Sequence, residues 1–169
     1  MIEISGGIAV LCYLHFSLRK PYPLLRVPAM STSAMQCAPV LPPDLQLGEP
    51  ITDATHSEFI RLLDVADNAI DESLIASLDA WIAHTKEHFA QEESWMEALD
   101  FGPRHCHAGQ HRHVLHVADM VRAEIADNGR VDLGRRLLSE LRVWFAHHVK
   151  TMDAMMVGYM QEHGFPQAA

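Results

Sequence analysis

His88-Phe89-Ala90-Gln91-Glu92 and His107-Ala108-Gly109-Gln110-His111 each place two metal-capable side chains four residues apart. Four residues of α-helix turn about 400°, so the members of each pair stand one above the other on the same side. Apolar residues recur at helical spacing around both segments. Leu74, Leu78, Trp81, Ile82, Phe89 and Met96 surround the first, and Val114, Leu115, Ala118, Val121 and Ile125 follow the second. Stripes of this period predict two amphipathic helices. Gly102-Pro103 stops one and opens the next.

Working outward, Gly48-Glu49-Pro50 reads as a helix start with proline in the first helical position. Ile51, Phe59, Leu62, Leu63, Ala66 and Ile70 then mark a helix over about 50–69. Asp71-Glu72-Ser73 offers a cap for the second helix, which runs to about Leu99. The third spans about 104–126 and ends at Asn128-Gly129, a pair that tolerates positive φ. Asp132 is expected to cap a fourth helix carrying Leu133, Leu137, Leu141, Trp144, Phe145, Val149, Met152, Met156 and Tyr159, closed by Gly164 and Pro166. Alternating β-branched runs are absent from the sequence. Four helices on short loops predict an all-α, antiparallel up-down-up-down bundle.

The chain has 169 residues, 49% hydrophobic and 21% charged, enough for one globular domain. Its formal charge of −9 lies entirely in residues 50–169, where eleven of the 12 histidines also lie. An acidic surface argues against nucleic acid and anionic membrane as partners. Residues 1–45 read as a poorly structured extension and linker, and 46–169 as the bundle. Ile8 to Leu14 is apolar but too short to span a bilayer, and Glu3 stands where a secretory signal needs positive charge. Cys12, Cys37 and Cys106 form neither a disulfide framework nor a CxxC thiolate site. A cytoplasmic location is therefore expected, with Cys106 as a packed thiol. The oligomeric state stays open, with a monomer as the default.

Each helix carries metal-capable residues on or beside its inward stripe: His56 (preceded by Asp53) on the first, His88 and Glu92 on the second, His107 and His111 on the third, His148 and Asp153 on the fourth. Five histidines and two carboxylates exceed what one tetrahedral zinc takes. They suit two six-coordinate ions bridged by the carboxylates, and nitrogen-rich, sulfur-free ligation favours iron over calcium, magnesium or copper(I). The last pair is the awkward one. Five residues turn about 500°, leaving His148 and Asp153 about 140° apart on an ideal helix. They share a site only if it is extended, as by two metals, or if the helix is locally distorted.

The set resembles the hemerythrin family. The resemblance rests on Ile51-Thr52-Asp53-Ala54-Thr55-His56, on His88 to Glu92 with Glu93 and Met96, on His107 to His111, and on Trp144-Phe145-Ala146-His147-His148 through Asp153. It covers about residues 41–160. It implies a hemerythrin-like four-helix bundle around a non-haem di-iron site that binds O2 reversibly, in an oxygen carrier, store or delivery protein and not an enzyme. By position, His107, His111 and His148 would hold one iron and His56 and His88 the other. Glu92 and Asp153 would bridge them with a solvent-derived hydroxide, and Phe59, Trp144 and Phe145 would belong to the O2 pocket. Two departures stand out: Leu41 where family members often have Trp, and Met156 where many have Tyr.

The alternatives are an oxygen or redox sensor acting through a partner, and a di-iron redox enzyme or iron-handling protein. Ferritin-like sites are built on Glu-x-x-His pairs, and none occurs here. HExxH, the mark of hydrolytic zinc enzymes, is absent too. Among the remaining histidines, His84 is expected beside the site or at the surface. His105, His113 and His116 are expected to be mostly solvated or hydrogen-bond partners beside the ligands, His147 to face away from the site, and Arg135-Arg136 to be ordinary solvated helix surface.

Overall fold

The computed structural model describes residues 41–164; of the extension expected over 1–45, residues 1–40 lie outside them, as does Pro166. The described residues form helices and no strand: α1 (Pro50–Asn68), α2 (Asp71–Ala98), α3 (Arg104–Asn128), α4 (Val131–His148), a π-helical turn (Val149–Asp153) and α5 (Ala154–His163). The last three are one continuous rod, so the architecture is the antiparallel four-rod bundle that the periodicity predicts. Around the ring α1 packs on α2, α2 on α3, α3 on α4 and α4 back on α1. No helix among the described residues is long and apolar enough to cross a membrane.

The sequence signals at the helix ends act mostly as read, with three corrections. Glu49 caps α1, its carboxylate accepting from the backbone N–H groups of Ile51 (3.1 Å) and Thr52 (2.6 Å). Gly129 ends α3 at φ +65°, a left-handed conformation that costs glycine nothing. Asp132, however, does not cap α4: the N-cap is Arg130, and Asp132 lies inside the first turn, paired with the Arg130 guanidinium (2.8 and 2.9 Å). Nor does a side chain cap α2. Its N-cap is Ile70, and Asp71 and Glu72 complement the helix dipole from the first turn. Arg135 is not ordinary solvated surface either. Its guanidinium donates to the carbonyls of Ala66 (3.1 Å) and Asp67 (3.0 Å) and to Asp71 (2.9 Å), closing the exposed end of α1 against α4.

The core is built from the predicted stripes. Phe59, Leu63, Leu74, Leu78, Trp81, Leu138 and Leu141 are almost wholly buried. Gly134 permits a close approach of α4 to α2 and α3. A Cβ there would lie 2.8 Å from Ile125 Cδ1 and 2.9 Å from Leu74 Cδ2. Below the site, Met96, Phe101, Met156, Val157 and Met160 form an apolar floor. Residues 41–45, assigned by composition to the extension, take part in the packing: Leu41 and Leu45 are buried around a 3-10 turn at Pro43–Leu45.

Candidate metal centre

All seven predicted ligands lie inside the bundle, and none is more than 5% exposed. Four rods converge on the site. α1 supplies His56, α2 His88 and Glu92, α3 His107 and His111, and the fourth rod His148 and Asp153. The five-residue spacing of the last pair is resolved by the backbone. Val149–Asp153 is a π-helical turn. Hydrogen bonds from i to i+5 replace those from i to i+4 in such a turn, which restores residues five apart to one face. His148 Nε2 accordingly lies 3.2 Å from Asp153 Oδ1.

Both carboxylates are shared between two groups of histidines. Glu92 Oε1 lies 2.9 Å from His88 Nε2 and 3.8 Å from His56 Nε2, while its Oε2 lies 3.2 Å from His111 Nε2 and 3.5 Å from His107 Nε2. Asp153 divides in the same way: Oδ2 is 3.4 Å from His56 Nε2, and Oδ1 is 3.0 Å from His107 Nε2 and 3.2 Å from that of His148. His148 Nε2 is 3.1 Å from those of both His107 and His111. Nitrogens about 2.1 Å from a common ion at right angles stand about 3 Å apart, so this is the spacing of an octahedral face. The ligand atoms fall into two clusters: Glu92, His107, His111, His148 and Asp153 in one, His56, His88 and Glu92 in the other.

These atoms converge without satisfying one another. Glu92 Oε2, both Asp153 oxygens and His56 Nε2 are buried with no hydrogen-bond partner. Leaving a buried polar group unpaired is costly, and several in one place suit a cation. The residues present therefore fit a metal centre.

The electrostatics follow from the same geometry. Burial opposes charge on His56, yet the nearby carboxylates of Asp153 and Glu92 push its pKa up to about 9. His107 also rises to about 9 against its burial, through the same two carboxylates. Burial pulls His111 down. For Glu92, burial favours the neutral acid, but the charge on His88 and the close approach of the His107, His111 and His56 rings hold it well below the usual carboxylate range. Burial and Glu92 both oppose the Asp153 anion, and His148 and His107 outweigh them. Without metal, protons occupy the place where cations would neutralise two buried carboxylates.

The aromatic residues divide between the two sides. Phe59 and Phe145 stack at 4.0 Å, with Phe145 edge-on to His56 (5.2 Å) and Phe59 edge-on to His88 (6.1 Å). Trp144 stacks instead on His148 (4.4 Å, 22°), on the three-histidine side. Three neighbours had no assigned role in the sequence reading. Phe89 lies flat on His111 (3.7 Å, 2°), Gln110 Oε1 accepts from His148 Nδ1 (2.9 Å), and Glu93 approaches His111 Nδ1 (3.4 Å). Each is adjacent in sequence to a ligand, which is the signal that could have found them. Asp53 faces away from the centre, accepting from the N–H groups of Leu47 and Gly48. His84 bonds the Thr55 carbonyl (3.2 Å); His105, His113, His116 and His147 are exposed. Cys106 is also exposed, correcting the expectation of a packed thiol, because it follows His105 on the outer side of α3.

Comparison with known proteins agrees with this arrangement. Residues 48–160 match the family model described as the hemerythrin HHE cation binding domain. The chain belongs to the hemerythrin family. A bacteriohemerythrin of Ralstonia nicotianae (strain ATCC BAA-1114 / GMI1000) is 48% identical over 120 residues, covering 71% of this chain and 87% of that protein. No solved structure matches significantly. The hemerythrin match spans every residue of the convergent set, from His56 to Asp153.

Proposed function

We infer that this hemerythrin-family chain binds O2 reversibly at a pair of iron ions, acting as an oxygen carrier, store or delivery protein and not as a catalyst. The observation that carries the reading is the division of both carboxylates, each with one oxygen toward each group of histidines. A single ion would need only one side of each.

In this reading His107, His111 and His148 would hold one iron, His56 and His88 would hold the other, and Glu92 and Asp153 would be shared between them. Iron held there would supply the electrons for reversible O2 binding. The chain's own residues make that binding reversible. The His56–His88 side offers two histidines against three, and would be the side that leaves room for O2. The stacked Phe59–Phe145 pair edges that side with apolar surface, which slows the entry of water. Below, Met156 and Met96 keep the floor of the site apolar and without an acidic proton. The two carboxylates offset half the charge of two divalent ions, so less net charge stays buried.

The test is anaerobic reconstitution with Fe(II), a metal count, and repeated admission and removal of O2 under a visible spectrometer. Two irons per chain and a colour that appears with O2 and fades on its removal are expected. One ion per chain, or no oxygen-dependent colour, would overturn the reading. Sustained consumption of a reductant under O2 would replace the carrier with an enzyme.

A further inference from the structure

A narrow cleft between α1 and α2 reaches the two-histidine side of the centre. Thr52, Thr55, His88, Gln91, Glu92 and Trp95 line it. His88, Gln91, Glu92 and Trp95 recur at helical spacing on one face of α2, and Thr52 and Thr55 oppose them from the turn of α1 that precedes His56. Three buried polar atoms of these residues have no hydrogen-bond partner: Glu92 Oε2, which faces the centre, Thr52 Oγ1, on a residue 2% exposed, and His88 Nδ1, on a residue 5% exposed. His88 Nε2 points to Glu92 Oε1, so Nδ1 is the nitrogen facing away from the centre.

Among the other ligands, His148 Nδ1 has Gln110, while the Nδ1 atoms of His56, His107 and His111 have no hydrogen-bond partner, Glu93 lying 3.4 Å from the last. His56 and His107 are fully enclosed. Of the ligands whose outer nitrogen is unpaired, His88 is the one that lines the cleft. A histidine that ligates through Nε2 is held in the correct tautomer when Nδ1–H donates to an acceptor, and that acceptor can be water. A buried water needs space for one molecule and two or more polar partners. The cleft offers both.

We propose that this cleft binds one structural water, which accepts from His88 Nδ1–H and donates to Thr52 Oγ1, making Thr52 a positioning residue for His88. Gln91 and Thr55 stand at the mouth, through which the water exchanges with solvent. The proposal rests on the two-cation reading for its consequence, but the water and its partners can be tested without any metal.

The experiment compares the parent chain with T52V and T52S. Crystals of the metal-free parent and of T52S should show a water within hydrogen-bond distance of residue 52 and His88 Nδ1, and crystals of T52V should lack it. In urea, metal-free T52V should unfold at a lower midpoint than the parent, because a bonded hydroxyl has been lost. A dry cleft predicts the reverse, since removing an orphaned buried hydroxyl stabilises. Titration with Co(II) against a competing chelator should show T52V weakening one of two cations about tenfold while the other stays within about twofold, with T52S restoring both. A dry cleft in the parent, a raised midpoint in T52V, equal weakening of both cations, or failure of T52S to rescue would each overturn the proposal. One Co(II) bound by the parent would instead overturn the two-cation reading, leaving the water and stability results to stand.

Discussion

Raising pH should unfold the metal-free protein, and the centre sets the size of the effect. The perturbation is a shift from pH 6 to pH 10 after removal of metal by a chelator. His56 and His107 titrate at about 9 in the folded chain, against an ordinary 6.5 once unfolded. Between those values the folded form holds protons that the unfolded form has released, so stability falls as pH rises. The contribution is fully present below 6.5 and lost as pH passes through about 9. Holding one proton over that interval is worth about 3 kcal/mol. Both histidines lean on the same two carboxylates, so the pair is worth on the order of 5 kcal/mol, comparable with the whole stability of a small domain. The assay is a series of urea unfolding curves across pH with chelator present. The midpoint should hold steady up to about pH 6.5 and then drop steeply toward 9. Metal-loaded protein should show no such drop, because cations replace those protons. Calorimetric titration near pH 7.5 in two buffers of different ionisation enthalpy should accordingly register at least two protons released per chain on loading. A midpoint that is flat or rises between 6.5 and 9 without metal would refute the coupling of His56 and His107 to Glu92 and Asp153.

Other outcomes follow from single residues. Glu92→Ala should lose most bound metal while the far-ultraviolet helical signal persists, as checked by elemental analysis and circular dichroism; unchanged loading would remove Glu92 from the bridge. Phe145→Ala should cost about 3–5 kcal/mol in urea unfolding, since the residue is 2% exposed and stacked on Phe59. Deleting the exposed Thr151 should turn the π-helical turn into regular α-helix and bring His148 and Asp153 to a spacing of four, retaining metal; inserting an alanine at the same place should abolish loading. Arg135→Ala should destabilise the bundle by about 1–2 kcal/mol in urea unfolding by freeing the carbonyls at the end of α1, with metal content unchanged.

Much of the site was legible in the linear sequence because helices make spacing into geometry. His88 with Glu92 and His107 with His111 need only a regular helix to face one way, and the apolar stripes beside them say which way is inward. Glu49 as a cap and Gly129 as a stop were equally local, depending on a few backbone groups close in sequence. Asp132 and Asp71 carry the residue type of a cap, yet both fall inside the first turn, because α4 is capped at Arg130 and α2 at Ile70. Arg135 reads as solvated surface until α1 is placed beside α4, when carbonyls far away in the chain come within its reach.

His148 and Asp153 mark the boundary most clearly. The chain alone determined that seven nitrogen and oxygen ligands lie on four amphipathic helices, and that the final pair is out of register on an ideal one. Only the tertiary structure decided how that mismatch is settled: a π-helical turn at Val149–Asp153 brings both residues to the centre. Tertiary structure likewise divided each carboxylate between two histidine groups and opened the cleft beside His88. The physical reason is one of range. Helical periodicity is a property of neighbours along the chain, whereas a shared buried charge depends on where four rods come to rest.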